Sequence, residues 1–252
     1  MRLRRRAVAG AGVACALLLA AAGCTTTDIQ FPILSADARP GPMAYAQVQD
    51  GGYTIPAVPP GRVDPKYLRQ VVRTPGRVVA EPGTIVVDPA NKYLYLVQAD
   101  GTSMRYGIGV GREGFAWSGE AVIRGKQQWP RWHPPAEMMA RDPEAAKYPN
   151  GMDGGLQNPL GARALYLWQG NKDTLYRLHG TNDPSSIGKA VSSGCVRLMN
   201  QDVIDLFERV PIGTKVVVLD AGFSLPSLPL ADIFGPRPGT GAPVPPANVG
   251  QI

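Results

Sequence analysis

The sequence predicts a mainly β domain over residues 81–220, a sandwich or barrel of mixed strands with one main helix following Cys195. Three observations carry this. Between Pro82 and Val110, short β-branched and aromatic runs alternate with turn signals, the pattern of an antiparallel meander. Two further runs, Ala164–Trp168 and Thr174–His179, have the same character. Helical spacing of apolar residues is clear only at Val203, Phe207 and Val210, with Ile204 and Leu206 alongside.

The elements follow in order. Thr84-Ile85-Val86-Val87-Asp88 is β-branched and bounded by Pro82-Gly83 and Pro89. Lys92–Val97 and Ser103–Val110 follow, separated by the turn Asp100-Gly101. Residues 111–160 are rich in Trp, Pro and Gly and read as ordered loop, with a short helix in Glu137–Tyr148 broken at Pro143. A loop of that length in a compact domain suits a lid or a substrate wall. Asn200 is the expected N-cap of the main helix, Asp202 lies in its first turn, and Pro211 stops it. Gly213-Thr214 then turns into a last strand, Lys215–Leu219.

The flanks read differently. Residues 1–23 have a basic start followed by the apolar run Ala7–Ala22, which is short for a membrane span and has the form of a signal peptide. Ala21-Ala22-Gly23-Cys24 resembles the lipobox of bacterial lipoproteins, which implies lipidation of Cys24 and a membrane anchor through its acyl chains. Residues 24–60 are polar and Pro-rich, as a tether would be, and 61–80 read as a lead-in to the domain. Residues 221–252 form a Pro/Gly-rich tail. The net charge of +6 owes four of its cations to Arg2, Arg4, Arg5 and Arg6. Without residues 1–23 the chain carries 22 basic against 20 acidic residues, so the charge does not argue for a nucleic-acid partner.

Cysteine placement narrows the chemistry. Of Cys15, Cys24 and Cys195, the first leaves with the signal and the second is the lipidation candidate. Cys195 is then a lone thiol in an oxidising compartment, with no internal disulfide partner. A thiol becomes a strong nucleophile when a base or positive electrostatics favours the thiolate. The chain has two histidines, His133 and His179. His179 ends a predicted strand, and the small residues up to Cys195 suit a loop that brings the two together. Gly194 permits close backbone approach, and N–H groups near Gly194 and Cys195 could serve as an oxyanion hole. A buried structural thiol beside a hydrogen-bonded core histidine accounts for the same residues, and at this level both readings stand. One Cys and two His fall short of a metal ligand set. His133, in Trp129-Pro130-Arg131-Trp132-His133-Pro134-Pro135, reads as a loop residue near a substrate groove, with the aromatic cluster packing that loop.

The segment His179-Gly180-Thr181, then Ser192-Ser193-Gly194-Cys195-Val196-Arg197-Leu198, resembles the catalytic signature of the L,D-transpeptidases, the YkuD-type peptidoglycan enzymes. A looser likeness extends over 80–220, including Asn158-Pro159-Leu160-Gly161 and Val210-Pro211-Ile212-Gly213-Thr214. Ser193 stands where the family usually has a second histidine.

The resemblance implies Cys195 as nucleophile and His179 as base, with backbone donors at Ser193, Gly194 and Cys195 holding the oxyanion. It implies substrate contacts from Gly180, Thr181, Ser192 and Arg197, with Arg197 on the substrate carboxylate or ordering the loop. The implied partners are peptidoglycan stem peptides in the bacterial cell envelope, with no cofactor and no metal. The implied product is a 3–3 crosslink or an amine acceptor attached to the stem, an outer-membrane protein being one such acceptor. A hydrolase on the same scaffold and a non-catalytic wall-binding lipoprotein are the rival readings.

Overall fold

The computed structural model of the chain describes residues 42–112, 117–192 and 194–220. The signal segment, Cys24, Ser193 and the 221–252 tail lie outside the described residues.

The elements in chain order are β1 (Val48–Asp50), β2 (Tyr53–Ile55), β3 (Gln70–Arg73), β4 (Ile85–Asp88), β5 (Tyr93–Val97), β6 (Thr102–Gly107), β7 (Val110–Gly111) and β8 (Gly119–Gln128). Then come α1 (Ala136–Arg141), α2 (Pro143–Ala146), β9 (Arg163–Gln169), β10 (Lys172–His179), β11 (Ala190–Ser192), β12 (Val196–Arg197), α3 (Asn200–Arg209) and β13 (Lys215–Val218). Nine strands share one mixed sheet in the order β12-β10-β9-β8-β13-β4-β5-β6-β3. β4, β5 and β6 form the expected antiparallel meander. β9 and β10 pair antiparallel, whereas β13 runs parallel to β4, and β12 parallel to β10. The mainly β, mixed-strand expectation holds.

The inward faces form the core. Ile85, Leu94, Tyr106, Ile123, Leu165 and Leu178 have no exposed surface, and Val203 and Leu206 of α3 pack on them. Burying each large aliphatic side chain contributes about 1.5–3 kcal/mol relative to leaving it in water. Arg209 ends α3 and Val210 caps it, one residue before Pro211.

Three expectations are corrected. The sequence predicts loop over Gly119–Gln128, yet this stretch is β8, at the centre of the sheet between β9 and β13. Its only fully buried side chains are Ala121 and Ile123, and a register shift falls between Ile123 and Gly125. The polar end Lys126-Gln127-Gln128 masks a strand that its neighbours define.

The second correction concerns 42–60, the last part of the expected tether. This stretch is packed on the domain: Tyr45 and Ile55 are buried, and the Gln201 side chain donates to Pro56 O at 3.0 Å. The Tyr45 hydroxyl donates to both oxygens of the fully buried Asp202, at 3.0 and 3.2 Å. Burial pushes the Asp202 carboxyl up to about 7, against the nearby Arg69 cation. The composition that resembles a spacer is here a strap held by a few side chains. Residues 61–80 contribute β3, the edge strand on β6.

Third, Met199 rather than Asn200 is the N-cap of α3, and β12 lies between Cys195 and the helix. The thiol therefore does not sit at a helix N-terminus. Asn200 has another role, set out below.

Candidate active site

The site is built at the C-terminal end of β10 and the start of β12. In the parallel pair, Leu178 faces Val196 and His179 faces Arg197. Side chains alternate between faces along a strand. Leu178 and Val196 belong to the core, so Arg177, His179, Cys195 and Arg197 share the opposite face. Strand alternation thus brings the two expected chemical residues to one surface, diagonally across adjacent strands. A bridge from Gly109 pins β12 from its far side, with Arg197 N donating to Gly109 O at 2.8 Å and Gly109 N to Arg197 O at 2.9 Å.

His179 is buried, 4% exposed. Its Nδ1 lies 2.6 Å from Gly180 O. A carbonyl only accepts, so in this bond Nδ1 is the donor. Burial, then the Arg197 cation, push the imidazole down to about 4, against the pull of the Gly180 and Leu160 carbonyls. The ring is a neutral base at pH 7.

The corner behind this ring is tightly closed. Asn200 Oδ1 accepts from Ala162 N at 2.9 Å. A Cβ on Gly180 would fall 2.3 Å from that same oxygen, and one on Gly161 equally so. Glycine at 180 is therefore a packing requirement.

Cys195 is half-buried. Its Sγ lies 3.9 Å from Leu175 O, and among the described residues no hydrogen bond joins it to the imidazole. Burial pushes the thiol up, and the Arg177 N–H with the guanidiniums of Arg177 and Arg197 offsets part of this. The pair is neutral thiol and neutral imidazole. Attack on a carbonyl then requires Sγ to turn from Leu175 O toward the ring, passing its proton as it does so.

The loop around the thiol is held internally. Ser192 Oγ donates to Cys195 O at 2.7 Å and accepts from Gly194 N at 3.2 Å. Thr181 Oγ1 accepts from Asp183 N at 3.0 Å. Gly180, Thr181 and Ser192, the expected substrate contacts, are buried, and the side chains of Thr181 and Ser192 bond within their own loops. The bond from Gly194 N is long, so a charged oxygen would compete for that donor.

Arg197 differs from its neighbours. Arg177 is committed to Asp173 through two bonds of 2.7 and 2.8 Å and lies over the Tyr166 ring. The Arg197 Nε is buried with no hydrogen-bond partner, and its guanidinium makes no ion pair among the described residues.

A cleft of about 340 Å³ opens beside Gly194 and Val196, walled by Trp117 and Tyr176 and edged by Arg112 and Lys92. Trp117 and Tyr176 stack with ring centroids 5.5 Å apart. His133 is exposed on the 129–158 segment, with its ring against Gly151. Trp129 and Trp132 pack that segment against Tyr53 and Tyr148. Arg177 and Leu175 O were not singled out from the sequence. Arg177 was accessible by alternation from His179, whereas the Leu175 carbonyl depends on a bulge between Asp173 and Arg177, with Leu175 at φ 64°.

Residues 82–218 match the model of the YkuD family, the L,D-transpeptidase catalytic domain. The chain belongs to this family. Among curated relatives, the probable L,D-transpeptidase YbiS of Escherichia coli strain K12 is 38% identical over 146 residues, covering 54% of this chain and 44% of the relative. The putative L,D-transpeptidase YkuD of Bacillus subtilis strain 168 is 50% identical over 62 residues, 25% of this chain and 37% of the relative. The matched part thus spans less than half the length of these relatives. A crystal structure from Brucella melitensis, described as a probable carnitine operon oxidoreductase, is 52% identical. It covers 62% of this chain and 96% of that one, with a TM-score of 0.43. In the L,D-transpeptidase frame, His179 and Cys195 both fall inside the matched domain. Asp50 and Tyr45, which the strap brings in, fall outside it.

Proposed function

We propose that this chain is a cell-envelope L,D-transpeptidase that forms a thioester between Cys195 and a peptidoglycan stem peptide. The observation that supports this best is the shared face of His179, at the end of β10, and Cys195, just before β12, with the imidazole Nδ1 tied to Gly180 O. In acylation, Sγ bonds to the donor carbonyl carbon and the amide C–N bond to the terminal D-Ala breaks. The thiol proton passes to His179 Nε2 and on to the leaving amine. In the second half, an acceptor amine attacks the thioester, the new C–N bond forms, the C–S bond breaks and the thiol is reprotonated. The N–H groups of Ser193, Gly194 and Cys195 stabilise the oxyanion. Arg197, beside the thiol and the imidazole, holds a donor carboxylate or orders the loop. The thiol chemistry needs no metal or cofactor.

The test is mass analysis of tetrapeptide-bearing muropeptides incubated with the protein. Crosslinked dimers with loss of one D-Ala per bond are expected. Trimmed monomers alone would make it a hydrolase, and unchanged substrate would remove the enzymatic reading.

Anchoring at Cys24 belongs to the same proposal. Cys24→Ala is expected to move the protein from the membrane to the soluble fraction, because the burial of acyl chains is lost. Equal membrane association of the two proteins would exclude the anchor.

A further inference from the structure

The β1–β2 hairpin lies upstream of the matched domain, yet its turn is aimed at the corner behind the candidate base. Gly51 and Gly52 have φ 55° and 85°, as a tight two-residue hairpin turn requires. The residue before them is Asp50. Its carboxylate accepts from Arg163 Nη1 at 2.6 Å, Arg163 Nη2 at 2.7 Å and Trp129 Nε1 at 2.8 Å. Arg163 is 3% exposed, its Nε has no partner, and among the described residues Asp50 supplies its only ion pair. The hairpin also holds Trp129 by packing. Tyr53 lies 4.2 Å from it ring to ring, and the Tyr53 hydroxyl donates to Gly154 O at 2.8 Å. A Cβ on Gly51 would come within 2.5 Å of Trp129 Nε1.

Both residues that Asp50 fixes support the His179 corner through their backbones. Trp129 N donates to Ala162 O at 2.8 Å, and Gly180 N donates to Arg163 O at 3.0 Å. Arg163 Nη1 also donates to Ala162 O at 2.9 Å. Gly180 is the residue whose carbonyl holds the imidazole. The path from Asp50 to His179 therefore runs through one side chain, one backbone bond and one carbonyl.

We propose that Asp50 is a positioning residue for the reaction: from outside the family domain it locks Arg163 and Trp129, and through them the Ala162–Gly180 corner that orients His179. The proposal rests on the reading of His179 as base. It follows that the catalytic domain of this chain depends on the strap for the geometry of its base as well as for packing, and that residues 82–218 alone are not a fully competent unit.

Removing a carboxylate from a buried guanidinium also destabilises, so stability and positioning must be separated. The experiment measures the rate of Cys195 acylation by a carbapenem, from intact-protein mass, at saturating carbapenem and at a temperature where circular dichroism shows each variant fully folded. Asp50→Asn is expected to acylate about 10- to 100-fold more slowly, the scale of a sub-ångström misplacement transmitted to a reacting group. Asp50→Glu should recover much of the rate. The double variant Asp50→Asn/Arg163→Met removes both charges, so its melting temperature should recover while its acylation stays slow. Trp129→Phe keeps the ring packing and loses one bond to Asp50. It should slow acylation several-fold and serves as the readout if Asp50→Asn does not fold. Wild-type rates in folded Asp50→Asn or Trp129→Phe, or a double variant that regains rate together with stability, would overturn the proposal. His179→Ala run in parallel separates the two readings: a fast His179→Ala removes the base, whereas a slow His179→Ala beside a fast Asp50→Asn removes only the positioning role.

Discussion

Cys195→Ser is expected to form no covalent adduct with a tetrapeptide donor or a carbapenem, while the wild type gains the mass of one acyl group. A hydroxyl is far less acidic than a thiol, and the base on the same face is an imidazole held down at about 4. So weak a base can assist a thiol, whose proton is only moderately held, and not a serine hydroxyl. The substitution is close in size and leaves the Ser192–Cys195 loop bonds in place, since those run through the backbone of 194 and 195. Loss of the adduct would then report chemistry and not folding. An adduct that persists in Cys195→Ser would place the nucleophile elsewhere.

His179→Ala is expected to slow acylation about 10²–10⁴-fold, the range for loss of a general base. The pH profile gives the sharper signature. With the imidazole pushed down to about 4, His179 is neutral through the whole neutral range, and wild-type acylation should fall only as pH drops toward 4 and the ring protonates. Arg197 is the second cause of that depression after burial. Removing its charge in Arg197→Gln should move the acid limb to higher pH, whereas in His179→Ala the limb should vanish. Stopped-flow acylation from about two units below the shifted value up to neutral pH checks both. A limb that stays put in Arg197→Gln, or that survives in His179→Ala, would mean the titrating group is not this histidine. His133→Ala should leave rate and limb unchanged, because His133 is exposed on the 129–158 segment.

How far the sequence carries can be judged element by element. The meander β4–β6, the β9–β10 pair and α3 were legible because each has a local signature: turn residues at its ends and a period of two or 3.6 between them. β8 was not, because Gly119–Gln128 buries only Ala121 and Ile123 fully and becomes a strand by pairing with β9 and β13. Asn200 looked like a cap from its type and position, yet its side chain closes the Gly161–Gly180 corner, a contact 38 residues away in sequence. The loop bonds of Thr181 and Ser192 were equally hidden, because they depend on how the chain folds around them.

The sequence by itself determined the chemistry-bearing segment, His179 to Leu198, and with it the family, because a motif of that kind is local in the chain. It also determined most of the strands, since side-chain alternation is a property of neighbours. Tertiary structure alone decided that β10 and β12 pair in parallel and so put His179, Cys195, Arg177 and Arg197 on one face. It decided that the imidazole is pushed down and the thiol up from their ordinary values, because burial and the field of nearby guanidiniums depend on what surrounds a group in space. And it decided that residues 42–60 are a strap, because Asp50 and Tyr45 find their partners, Arg163 and Asp202, more than a hundred residues away, a distance over which composition and periodicity carry no information.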